Sequence, residues 1–141
     1  MKVCVSGPRD YYDYESVCDA IEKSEFEVTE IVSGNAKGVD TSGERWAFES
    51  DLPARLFKPD WKNLNAEDAR IKENSYGKYN ANAGSARNGL MAEYADALVA
   101  VIVDGSFGTA NMVKQMKALG KPVFTYDPED YVSPDKIGYD F

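Results

Sequence analysis

The sequence predicts a single α/β domain over residues 1–141, a three-layer sandwich with a mainly parallel sheet of about five strands. Three observations predict it. Short apolar β-type runs alternate with segments of helical period, and glycine-rich turns follow the strands. The most apolar run of all, Ala97 to Val103, has the continuous character of a central parallel strand covered on both faces.

Lys2 to Ser6 is the first strand, stopped at once by Gly7-Pro8. From Asp13, the spacing of Tyr14, Val17, Cys18 and Ile21 predicts a helix, and Val28 to Val32 the second strand. Ser33-Gly34-Asn35-Ala36-Lys37-Gly38 breaks the pattern, and Val39 to Ser50 resumes it as a helix. Leu52 to Lys58 reads as a third strand that Pro53 confines to an edge. Residues 62–80 are polar and lack a period, which predicts a long loop with a short helix around Ala66 to Lys72. A helix over Ala83 to Tyr94 precedes the central strand. Asp104 to Thr109 then forms a turn, Ala110 to Leu119 a helix closed by Gly120, and Pro122 to Tyr126 the last strand, before an acidic tail. This βαβ alternation is Rossmann-like, and ligands of such sheets lie at the carboxyl ends of the strands.

At 141 residues, with 43% hydrophobic residues, the chain can bury a core. A net charge of −8 argues against wrapping a nucleic-acid backbone but leaves room for a small anion, which needs only a few local donors. The absence of histidine removes imidazole acid–base chemistry and ordinary histidine metal sites, and Cys4 and Cys18 lack metal or redox spacing, so they read as reduced core thiols. No metal and no cofactor is expected. The apolar run at the N-terminus is too short for a signal peptide or a membrane span, which predicts a cytosolic protein without membrane partners.

Glycines stand directly after predicted strands at Gly7, at Gly34 and Gly38, and at Gly105 and Gly108, all on one sheet edge. Glycine permits close backbone approach, and each following helix offers free N–H groups and a positive end to an anion. Any βα turn of a parallel sheet also favours glycine, but the grouping of these turns favours a phosphate cradle. Ser106 and Thr109, around Phe107, add hydroxyl donors, although Thr109 also suits a helix cap. Arg9, after Pro8, and Arg87, in Gly84-Ser85-Ala86-Arg87-Asn88, suit phosphate or carboxylate, or else surface ion pairs. Asp40 suits a ribose hydroxyl or the first turn of its helix. Trp61 could stack a base or pack the loop onto the body. The expected ligand-binding set therefore includes Ser33, Asn35 and Asn88 beside these residues.

Gly7-Pro8-Arg9-Asp10, Ser33 to Asp40, Trp46-Ala47, Pro59-Asp60-Trp61, Gly84 with Arg87-Asn88 and Met91, and Gly105 to Met112 together resemble the SLOG superfamily. Within it, Lys2 to about Tyr126 is most similar to the small YspA-type, YpsA-related proteins common in bacteria and phages. That superfamily includes the lonely-guy phosphoribohydrolases, the DNA-processing Smf proteins, and sensor domains for nucleotide-derived signals in bacterial immunity. The resemblance implies a Rossmann-like fold, a nucleotide-derived ligand, and a homodimer or higher oligomer. In lonely-guy enzymes a glutamate of the last glycine turn works with an upstream arginine on the N-glycosidic bond. Arg87 matches the arginine, whereas Met112 stands at the glutamate position. Methionine cannot shuttle a proton, and Asn111, Asp40 and Glu44 are the available stand-ins.

Three functions follow as expectations. The first is a sensor or sponge for a nucleotide metabolite or messenger, such as an ADP-ribose derivative or a cyclic oligonucleotide, in phage–host or immune signalling. The second is an N-glycosidic-bond hydrolase using Arg87 and Asp40. Single-stranded nucleic-acid binding ranks last because no basic stripe is present.

Overall fold

The computed structural model describes residues 1–103 and 107–128. In chain order the elements are β1 (Lys2–Ser6), α1 (Tyr14–Ser24), β2 (Glu30–Ser33), α2 (Val39–Glu49), β3 (Ala54–Leu56), β4 (Ile71–Asn74) and β5 (Gly77–Asn80). They continue with α3 (Ala83–Tyr94), β6 (Ala97–Val101), α4 (Phe107–Ala118) and β7 (Val123–Tyr126). Five strands form one sheet in the order β3-β2-β1-β6-β7, and every pairing in it is parallel. The predicted Rossmann-like sandwich is thus the observed fold, with β3 on an edge.

Alternation along the strands splits the core into two layers. Val3 and Val5 of β1, Ile31 of β2 and Ala97, Val99 and Val101 of β6 pack with Val17, Ala20 and Ile21 of α1 and Val39 and Ala47 of α2. The intervening Cys4, Val32, Leu98 and Ala100 face the other way, against Met91 and Ala92 of α3 and Met112 and Met116 of α4. All five residues of β6 are buried, which explains the unbroken apolar run. Both cysteines are free, and burial pushes both thiols up, so neither is an ionised nucleophile at neutral pH. Among the described residues no helix is long and apolar enough to cross a membrane.

The helix ends show how the boundaries are set. Asp13 caps α1, accepting from the backbone N–H of Ser16 at 3.3 Å and from its hydroxyl at 2.9 Å. Lys121, just past α4, donates from Nζ to the carbonyls of Ala92, Glu93 and Ala95 at 2.7, 2.8 and 2.7 Å. One ammonium therefore satisfies three carbonyls at the end of α3, where the helix dipole is negative.

Three expectations need correction. The region around Ala66 to Lys72 is not a helix: a single turn, Ala69 N–H to Ala66 carbonyl at 3.0 Å, gives way to the antiparallel hairpin β4–β5. The helix formers there lose to the turn at Ser75-Tyr76, where Asn74 Oδ1 accepts the Tyr76 N–H at 2.9 Å and Gly77 adopts φ of 117°. Asn80 then clamps the base of the hairpin, its Oδ1 accepting from the N–H groups of Arg70 and Asn82 at 3.1 and 2.9 Å. The second correction is at α4, which begins at Phe107 rather than Ala110, so Gly108 and Thr109 belong to its first turn. The third strand is also shorter than expected, Ala54–Leu56.

The Lys121 contacts yield a stability prediction. Lys121→Met leaves three carbonyls without their charged donor and is expected to cost about 1.5–3 kcal/mol, the usual range for hydrogen bonds to an ion. Urea unfolding of both proteins measures this directly; an unchanged midpoint would show the contacts to be energetically idle.

Candidate functional site

The sheet is wound outward from β1 in two directions, through β2 to β3 and through β6 to β7. The helices that follow β1 and β6, α1 and α4, pack on opposite faces of the sheet, and a crevice opens between them at the carboxyl ends of the strands. A cleft of about 1020 Å³ lies there. Its wall includes Ser6, Gly7, Pro8, Arg9 and Asp10 after β1, Gly34, Asn35, Ala36 and Asp40 after β2, and Lys58, Pro59 and Trp61 after β3. Gly84, Ser85, Arg87, Asn88 and Met91 of α3 and Gly108, Thr109 and Asn111 of α4 complete it.

The first two turns are locked together by close approach. Gly38 adopts φ of 76°, and a Cβ there would lie 2.4 Å from the Pro8 carbonyl oxygen, so both conformation and space demand glycine. Gly34 needs only the space: a Cβ would come within 2.6 Å of Arg87 Nη1 and 2.9 Å of Asp40 Oδ2. Arg87 uses that space to donate from Nη1 to the Gly34 carbonyl at 2.5 Å and to the Phe57 carbonyl at 3.4 Å, while its Nε donates to Asn88 Oδ1 at 2.9 Å. The half-buried guanidinium thus joins the segments after β2 and β3 to α3.

Asp40 is buried in the same corner, its Oδ2 accepting from the Ala36 N–H at 3.3 Å. Burial pushes its carboxyl up to about 6, against the backbone of Ala36 and the Arg87 guanidinium, which pull it down. Burial likewise holds Arg87 below its ordinary value, opposed by Asp40. Among the described residues neither arginine expected at the site enters a surface ion pair. The two salt bridges among the described residues are Lys23–Asp19 and Arg45–Glu49, both along exposed helix faces.

Most of the expected residues meet in this cleft, with three kinds of exception. Ser33 is fully buried behind it, donating to Glu44 Oε2 at 2.6 Å and accepting from the Asn35 N–H at 3.0 Å. Gly38 serves the packing of the turns and does not line the wall. Gly105, Ser106 and the side chain of Phe107 lie outside the described residues. Trp61 reaches the wall with its indole beside Gly84, whose Cβ position is 3.3 Å from Cη2.

Ser6, Lys58, Ser85 and Met91 also line the cleft but drew no expectation as ligand contacts. Ser85 stands three residues before Asn88, a helical spacing that places both on one face and was available as a signal. Lys58 and Ser6 had only their position at strand ends. Asn111, which the sequence offers as a stand-in base, is a wall residue, whereas Met112 beside it is fully buried in the core. Among the described residues no group of three or more His, Cys, Asp and Glu side chains could hold a metal ion.

The Asp40 environment predicts a pH-dependent stability. Its folded value near 6 lies above the ordinary carboxylate range, so the native state holds the proton more tightly than the unfolded chain. The stabilisation this gives is complete below about pH 4 and disappears as the pH rises through about 6. Asp40→Asn removes that slope, and relative to its difference at pH 4 the variant should gain about 2.5 kcal/mol on the wild type by pH 7.5, from a shift of roughly two pH units at 1.36 kcal/mol each, less the part already lost at pH 4. Urea midpoints at the two pH values check this; parallel pH profiles would refute it.

Known proteins share parts of this arrangement. DNA processing protein A (DprA) from Streptococcus pneumoniae has the same fold over 97% of the chain, with a TM-score of 0.63 and 20% identity. The chain spans 54% of that protein's length. TM1055, a structural genomics target, matches over 87% of the chain and 72% of its own, with a TM-score of 0.53 and 22% identity. No curated protein matches the chain. In sequence, residues 1–64 match the YspA, cpYpsA-related SLOG family. That stretch runs from β1 past β3 and contains the first two glycine turns and Trp61, so the SLOG resemblance read from the sequence has a family match there, while the two solved structures share the fold.

Proposed function

We propose that the chain binds a nucleotide-derived small molecule in this cleft and holds it unaltered, as a sensor or sequestering protein. The observation that carries this reading is the composition of one wall, where two arginines, the backbone of the glycine turns, the first turn of α4 and the Trp61 indole face a common volume. Arginines and helix N-termini suit phosphate, and an indole suits a base. A cleft of about 1020 Å³ accommodates more than a mononucleotide, which favours an ADP-ribose derivative or a cyclic oligonucleotide. The buried Met112 side chain supplies no acid or base, and the Asp40 carboxylate is already engaged by the 34–36 turn.

A second reading, cleavage of an N-glycosidic bond, is favoured by one observation. Asp40 lines the cleft near Arg87, and a carboxyl raised to about 6 is suited to give and take a proton near neutrality. Native mass spectrometry against nucleotides, ADP-ribose derivatives and cyclic oligonucleotides separates the two: the recovered ligand is intact for a sensor and lacks its base for a hydrolase. No bound species from the whole panel would defeat both.

Arg9 provides the cleaner mutational test, because it is exposed at the rim, where substitutions seldom disturb a fold. Arg9→Ala should weaken binding of a phosphate-bearing ligand about tenfold or more, the loss of one charge-assisted contact, with unchanged thermal stability. Isothermal titration gives the ratio, and equal affinities would remove Arg9 from the site.

A further inference from the structure

Three amide side chains between α3 and α4 hold one another in one orientation, and the groups that anchor them cannot reverse their roles. Arg87 Nε can only donate, and it donates to Asn88 Oδ1 at 2.9 Å. Asn88 Nδ2 is therefore a donor, directed to Asn111 Oδ1 at 3.0 Å and to the Gly108 carbonyl at 3.4 Å. Gln115 is anchored independently, because the backbone carbonyl of Ser85 can only accept and does so from its Nε2 at 3.1 Å. The same Nε2 donates to Asn111 Oδ1 at 2.8 Å. Two donors thus converge on Asn111 Oδ1. Turning that amide over would set three NH2 groups against one another in a half-buried place, a polar mismatch that costs stability.

The consequence falls on the other end of Asn111. Its Nδ2 has a single long contact among the described residues, 3.5 Å to Ser85 Oγ, and both side chains line the cleft. The Ser85 hydroxyl accepts in that contact and so keeps its own proton for donation. We propose that Asn111 is a specificity-determining residue: its Nδ2, paired with the Ser85 hydroxyl, forms a donor pair that receives a phosphate oxygen and rejects an amino group. Gln115 is a positioning residue that acts through Asn111. Asn111 stands near the N-terminal end of α4, where the helix dipole also favours an anionic oxygen. A ligand donor placed there would leave donors facing donors, which is how a site built on hydrogen bonds discriminates most strongly.

The inference rests on the nucleotide-binding reading, and two measurements separate their failures. The first needs no ligand: hydrogen exchange of the side-chain amides, followed by NMR, in the wild-type protein. The Asn88 and Gln115 NH2 groups are expected to exchange about tenfold or more slowly than that of Asn111, because their protons are held within the protein. Equal protection of all three overturns the proposed orientation. The second is titration with AMP, in which Asn111→Asp keeps the two bonds to Oδ1 but replaces the donor with an acceptor. Affinity is expected to fall about tenfold or more, and the Asn111 NH2 resonance of the wild type to shift on binding. Wild-type binding with Asn111→Asp unaffected overturns this inference alone; no binding of AMP by the wild type overturns the role given to Asn111 toward phosphate, while the functional reading is decided by the wider ligand panel.

Discussion

A half-buried guanidinium must find acceptors, and the way Arg87 finds them shapes the cleft. Its Nη1 takes the carbonyls of Gly34 and Phe57, and its Nε takes Asn88 Oδ1, so one cation ties the segments after β2 and β3 to the helix that crosses below them. Nothing larger than glycine fits at position 34 while the guanidinium is there. Asp40 supplies the nearby negative charge, yet its own burial works against ionisation. The corner is therefore a compromise between two desolvated groups rather than a simple ion pair, which is how a site can keep charge available for a ligand.

The parallel sheet decides what can reach that corner. Because each crossover returns the chain to the same end, β1, β2, β3 and β6 all end on one edge, and Gly7, Gly34 and Gly108 gather there although they are distant in sequence. This is why so much of the fold was legible. The run Ala97 to Val103 announced a strand buried on both faces, observed over Ala97–Val101, and Val3, Cys4 and Val5 sit in alternate layers as a central strand requires. The meeting of Gly7, Gly34, Arg87 and Asn88 followed from topology once the strands were placed.

What the sequence hid was decided by contacts that no local pattern records. Ser33 was indistinguishable from a ligand donor until its hydroxyl was seen to serve Glu44, and the start of α4 at Phe107 absorbed residues that read as a turn. Asn111 was legible only as a poor base. Its significance comes from Asn88 and Gln115, one from another helix and one a turn further along its own, which together decide which atom of the amide is left over. Residue types state what a side chain is able to do; the neighbours decide which of its capacities is already taken.

The hairpin of β4 and β5 occupies the long connection from β3 to α3 and, among the described residues, shares no strand pairing with the main sheet. Its tip carries the most exposed large hydrophobic side chain among the described residues, Tyr76 at 98% of full exposure, whereas its base is fastened by the Asn80 clamp. An architecture of this kind separates the part of the connection that must be kept from the part that is free to vary. Chain inserted between Ser75 and Tyr76 would leave all parallel pairings and the clamp in place, so the tip is the natural splice point for grafting a reporter or for opening new termini in a rearranged chain.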